Sequence, residues 1–88
     1  MATFKLTVSS PDGNIFEGEV EKFDVRGIEG ELAVMAGHIP FVTAVKEAPC
    51  TVWLPDGTKK EAHSNGGLLT VGPEGATYIS GSFKFSKK

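Results

Sequence analysis

His38, His63, Cys50, Glu29 and Glu31 are the residues of this chain whose types could do chemistry. A zinc site wants three or four ligands in tetrahedral array. The two histidines can meet only if the fold joins their segments, and Cys50 falls on a parity that should be buried, so no metal site is expected. The plain reading of His38 is a ring that hydrogen-bonds backbone groups of its own Gly37-His38-Ile39-Pro40 turn. Glu29 and Glu31 bracket Gly30 and point to one side of an extended chain, as an acid-base pair for glycoside cleavage would. The sugar cleft such a pair needs has one Trp and one Tyr to build it, so two solvated carboxylates on a loop tip, offered to a basic or polar partner, fit better. Ser64 follows His63 directly, and neighbours in a strand point to opposite faces, which separates nucleophile from base. Gly66-Gly67 lacks the lysine and helix of a phosphate loop. No catalytic residue, metal or cofactor is expected.

The elements that must position these side chains are strands. Phe4, Leu6 and Val8 alternate with Lys5, Thr7 and Ser9, which places three apolar residues on one face. Pro11-Asp12-Gly13-Asn14 then turns the chain. Phe16, Gly18 and Val20 share one parity while Phe23 and Val25 share the other, which predicts a β-bulge near Glu21-Lys22. Leu32, Val34 and Met35 read as a short buried strand, between turns in which Gly27, Gly30 and Gly37 can take positive φ. Cys50, Val52 and Leu54 alternate along a further strand, and a second Pro-Asp-Gly at residues 55–57 predicts the same hairpin device. Lys59 to His63 form the returning, solvent-facing partner. Leu68 to Val71 is a short apolar run, and Gly72-Pro73-Glu74-Gly75 turns into Ala76 to Ser80. No helical period persists over ten residues, so an antiparallel β-sandwich or barrel is expected.

Composition bounds the rest. With 88 residues there is room for one domain, residues 1–88, with a thin core. The formal charge of -2 and the absence of a basic aromatic stripe exclude a nucleic-acid footprint. Arg26 is the sole arginine, and Lys84, Lys87 and Lys88 form a small solubilising end. No apolar run reaches the roughly 20 residues of a spanning helix. One cysteine cannot form an internal disulfide, which suits a reducing compartment.

Glu29-Gly30-Glu31-Leu32, followed by Val34, Gly37-His38 and Pro40, resembles the signature of the epsilon subunit of F-type rotary ATP synthases. Phe4-Lys5-Leu6-Thr7-Val8 with Asp12-Gly13, Phe16, Gly18 and Val20-Glu21 is similar to the first strands of that family. Thr43-Ala44 with Lys46, then Asp56-Gly57 and Gly66-Gly67-Leu68 with Val71, keep its order, so the resemblance covers residues 3 to 80. It implies a sandwich of two five-stranded sheets on the central stalk, packed on the gamma subunit and touching the loops of the membrane-embedded c-ring. By position, Arg26, Gly27, Ile28, Glu29, Gly30 and Glu31 would face the c-ring, and Ser10, His38, Pro40 and Thr43 would lie toward gamma. The implied role is a non-catalytic rotor subunit, peripheral to the cytoplasmic face of a bacterial inner membrane, without bound nucleotide.

The sequence departs from that pattern at Ala36, where proline is usual, at Lys46-Glu47-Ala48-Pro49, where Lys-Pro-Gly is common, and at Asn65, where serine is usual. The family's C-terminal helical hairpin has no counterpart in these 88 residues; a naturally short form and a truncation are both open. Residues 81–88 are either a short tail or an extra strand in which Phe83 and Phe85 cover apolar sandwich surface. A different function class, a free-standing sandwich that binds carbohydrate or peptide, would have to use Trp53 as its platform.

Overall fold

The computed structural model describes residues 2–28, 30–37 and 40–86, and every regular element among them is a strand. One five-stranded sheet runs in the order β2 (Gly13–Val20), β1 (Phe4–Ser10), β9 (Gly75–Ser80), β8 (Gly67–Gly72), β5 (Phe41–Val45). The other runs β4 (Gly30–Met35), β3 (Lys22–Gly27), β6 (Ala48–Trp53), β7 (Lys59–Ser64), β10 (Phe83–Phe85). The two face each other over a core of Leu6, Val8, Val20, Phe23, Val25, Val34, Val52, Leu69 and Tyr78. This is the expected sandwich of two five-stranded sheets. The alternation in β1 is as read: Leu6 and Val8 have no exposed surface, and Phe4 packs against them.

The sheets are joined at Gly27, which pairs with Val45. Pro49 explains why β3 can reach across. The β3–β6 ladder holds from Lys22↔Trp53 to Asp24↔Thr51, and Pro49 has no N–H with which to extend it. The freed end of β3 turns to β5 instead, where the Lys46 N–H donates to the Arg26 carbonyl at 2.8 Å.

Three local details differ from the sequence reading. The change of parity between Val20 and Phe23 is a corner at Glu21, where the chain leaves one sheet for the other. The bulge lies in β2 instead: Val8 pairs with Phe16 but Ser9 pairs with Asn14, which leaves Ile15 as the extra residue. The pairing is not wholly antiparallel, because β1 lies parallel to β9, with Leu6 opposite Ala76; most of the chain separates them, so no short turn constrains their direction. The two Pro-Asp-Gly segments also differ. Pro11-Asp12 is a tight turn between paired Ser10 and Gly13, whereas Leu54 to Thr58 is a wider loop closed by Leu54 N–H to Thr58 O at 2.8 Å.

All strands run between two ends of the sandwich. At one end lie Phe4, Pro40, the Leu54–Thr58 loop and the Gly72–Gly75 turn. At the other lie the Pro11-Asp12 turn, Ile28, Lys46-Glu47, Asn65-Gly66 and Gly81-Ser82. Residues 83–85 are an extra strand: β10 pairs with β7, and Phe83 is buried.

Candidate functional site

Among the described residues, those first suited to chemistry do not converge. Glu29 and His38 lie outside the described residues. Glu31 is well exposed and ion-paired with Arg26 at 3.2 Å. His63 is exposed on the outside of β7, while Ser64, the next residue, is fully buried and hydrogen-bonded to Tyr78 and Ser80. Cys50 is buried, and desolvation pushes its thiol up to about 11, far from the thiolate that attack or metal binding uses. Among the described residues no three His, Cys, Asp or Glu side chains gather where a metal ion could be held.

Trp53 is half-buried on the outer face of the β4-to-β10 sheet. Its indole N–H donates to Asp24 Oδ2 at 3.2 Å. The ammonium groups of Lys22 and Lys59 stand 5.5 and 5.4 Å from the ring centroid. A ring engaged by two lysines is a poor stacking platform for a sugar. The charges around it are satisfied from within, Lys22 lying 3.9 Å from Asp24 and Lys59 3.5 Å from Glu61.

The outer face of the β2-to-β5 sheet is different in kind. Val42, Leu68 and Ile79 project from it with 61, 45 and 52 % of their surface exposed. They belong to two cross-strand rows. Ala44, Leu68, Ile79 and Ser9 stand opposite one another across β5, β8, β9 and β1, and beside them run Val42, Thr70, Thr77 and Thr7. The Lys5–Glu17 ion pair, 2.9 Å long, marks the charged margin of this face. Three large apolar side chains thus share one outer face with the small hydroxyls of Ser9, Thr7, Thr70 and Thr77. Its signal in the sequence is the adjacent apolar pairs Phe41-Val42, Leu68-Leu69 and Tyr78-Ile79. In a strand only one member of such a pair can face the core, so the other must face out.

The loop expected to face a ring is the tip of the β3–β4 hairpin. Arg26 pairs with Glu31 and Gly27 with Gly30, and Ile28 at the tip is 57 % exposed. Gly30 and Gly37 have φ of +129° and +84°, as the turns require, but Gly27 has ordinary strand geometry. Met35, read as buried, projects half-exposed from the outside of β4, beside buried Val34.

The set expected to lie toward gamma is spread out. Ser10 ends β1 at the hairpin's end of the sandwich, its Oγ accepting from Asp12 N–H at 3.2 Å. Pro40 enters β5 at the opposite end, a strand length of about 15 to 20 Å away. Thr43 lies between, opposite buried Leu69. Ser10 and Thr43 share the inward parity of Val8 and Leu69, so the three do not lie on one face of the sheet.

Residues 3–84 match the family described as ATP synthase, Delta/Epsilon chain, beta-sandwich domain. The ATP synthase epsilon chain of Nitrobacter winogradskyi is 39 % identical over 80 residues, which are 91 % of this chain and 58 % of that protein. The chain thus spans little more than half the length of that relative. A chain of the Euglena gracilis mitochondrial ATP synthase, solved as an OSCP/F1/c-ring assembly, superposes with a TM-score of 0.90 at 24 % identity, over 97 % of this chain and 54 % of that one. A chain of the Tetrahymena thermophila mitochondrial ATP synthase central stalk and c-ring gives a TM-score of 0.78 at 9 % identity, over 93 % of this chain and 66 % of that one.

Proposed function

The chain belongs to the ATP synthase delta/epsilon chain family through its β-sandwich domain, and from that membership we propose that it is a non-catalytic central-stalk subunit of a proton- or sodium-translocating F-type ATP synthase. In this role it binds the gamma subunit, contacts the c-ring loops and helps couple ion flow to ATP synthesis. It works at the cytoplasmic face of a bacterial inner membrane, held there through the complex.

The observation that carries the reading is the outer face bearing Val42, Leu68 and Ile79. Val42, Leu68 and Ile79, on three adjacent strands, lose contact with water when a partner covers them, and the family resemblance makes gamma that partner. Pro40, on the parity of Val42, then falls at one end of that footprint; Ser10, Thr43 and His38 are assigned to gamma by family position alone, Ser10 and Thr43 standing on the inward parity of their strands. The hairpin tip of Arg26, Gly27, Ile28, Gly30 and Glu31, with Glu29 by position, faces the ring and presents one apolar side chain beside a paired Arg and Glu. A rotor part must resist twisting, and two sheets closed on one core suit that demand. The domain binds no nucleotide, so titration with ATP should give no heat of binding.

The test is co-purification of the tagged chain with gamma and c from detergent-extracted bacterial membranes, followed by cross-linking from a Glu31→Cys variant. Gamma in the eluate and a cross-link to a c-subunit loop are expected. Capture of neither subunit would sink the rotor reading.

A further inference from the structure

The Ser64–Gly67 turn carries the chain from one sheet to the other and packs closely on its surroundings. Both polar groups of the Gly66 backbone are held from inside the sandwich: its N–H donates to Ser64 Oγ at 3.0 Å, and its carbonyl accepts from Ser80 Oγ at 2.7 Å. Ser64 is in turn hydrogen-bonded to the Tyr78 hydroxyl, and the Tyr78 ring is wedged between Phe23 and Phe83 at 5.8 and 5.9 Å. Ser64, Ser80 and Tyr78 are all buried. Three hydroxyls in the core therefore fix where Gly66 sits.

Gly66 presses on the next turn. A Cβ there would lie 2.8 Å from the Val45 carbonyl oxygen, 3.3 Å from Glu47 N and 3.4 Å from Lys46 C. Those are the residues that hold the end of β3, through the Gly27–Val45 pair and the Lys46 N–H bond to Arg26 O. On its other side the turn rests on β9: a Cβ on Gly67 would lie 2.0 Å from the carbonyl oxygen of Ile79, whose side chain stands in the exposed apolar rows.

We propose that Gly66, fixed by Ser64, Tyr78 and Ser80, is a positioning residue that sets the Arg26–Ile28 arm relative to the apolar face and carries force between the two surfaces. The proposal rests on the reading of those surfaces as the ring and gamma contacts, but the geometry it claims is a property of the chain alone. Backbone packed on backbone yields less than a side chain does, so displacement of the arm passes to β9 with little loss.

Gly57 supplies the comparison. It too has a positive φ, +90° against +99° for Gly66, yet a Cβ there would meet nothing within 4 Å. Gly57→Ala and Gly66→Ala therefore share the cost of an unfavourable φ, and only the second displaces the Lys46 turn. Residue-resolved amide hydrogen exchange on the full chain should show the Lys46 amide exchanging about tenfold faster in Gly66→Ala than in Gly57→Ala, with the β1–β2 amides alike in both. Equal exchange at Lys46 in the two variants would overturn the proposal. If Gly66→Ala does not fold, Tyr78→Phe removes a single hydroxyl. It should speed exchange at Gly66 and Lys46 selectively, whereas uniform acceleration across both sheets would reduce the network to general stability and refute a positioning role. Neither readout needs a partner, so either can fail while gamma is still captured, and gamma capture can fail while both succeed.

Discussion

The ring of Phe85, on the last strand, meets the ring of Phe16 edge-on, their centroids 6.0 Å apart, across the open side between the two sheets. Phe85 also meets Phe83 edge-to-face at 5.3 Å, and the Lys60 ammonium lies 5.1 Å from its centroid. The far end of the described chain thus closes the sandwich where β2 and β10 are both edge strands.

Phe85→Ala should therefore destabilise the domain by about 2 kcal/mol, less than for a fully buried phenylalanine because Phe85 is half-exposed. Urea unfolding measures this, with Lys84→Ala, on the solvent side of the same strand, expected within about 0.5 kcal/mol of the parent. A Phe85→Ala loss as small as that of Lys84→Ala would mean that residues 83–85 contribute no packing.

Alkaline pH should weaken the fold through two buried acids. Burial pushes the Cys50 thiol from its ordinary 9.0 to about 11. Burial likewise raises the Tyr78 hydroxyl above its usual range, against the opposing pull of its Ser64 hydrogen bond. Both groups hold their protons more tightly folded than unfolded, so stability is intact below pH 9 and falls as pH rises toward 11. The thiol's share is on the order of 2 kcal/mol by pH 11. Urea midpoints measured from pH 8 to 11 should fall less steeply in Cys50→Ala than in the parent; parallel curves would contradict the assignment.

Trp53 should behave as a structural residue. Removing both lysines over its ring, in Lys22→Ala/Lys59→Ala, should increase quenching of its fluorescence by acrylamide and cost about 1 kcal/mol of stability. Saccharides should leave its emission unchanged. Quenching by a saccharide in the parent chain would revive the carbohydrate-binding alternative.

Much of the fold is legible in the sequence because burial on one side of a strand imposes a period of two. Leu6 with Val8, Phe23 with Val25 and Cys50 with Val52 all declare the inner face. What is not legible is where two periods meet. A corner at Glu21 and a bulge both change the parity by one, and the pattern alone does not separate them. The bulge at Ile15 is hidden because Ile15 and Phe16 are both apolar, so neither parity looks wrong. The parallel β1–β9 pair depends on contacts across most of the chain, which local pattern cannot carry.

The hairpin tip from Arg26 to Glu31 was legible through its glycines and its resemblance to a known signature. The apolar face was not, because Leu68 falls within a continuous apolar run and Ile79 stands beside Tyr78, and the run by itself does not say which members face out. Strict alternation would have exposed them: a strand cannot bury two neighbours against the same layer.

The proposed rotor role depends on that face meeting gamma, and the affinity of purified gamma for surface variants of the chain tests it most directly. Leu68→Asp and Ile79→Asp should each keep a near-parental urea midpoint yet weaken gamma binding in titration calorimetry by about thirtyfold or more, as for a hot-spot residue. His63→Asp, on the opposite sheet, should bind as the parent does. Undiminished binding by both face variants, with binding lost in His63→Asp, would place gamma on the other side of the sandwich and contradict the account.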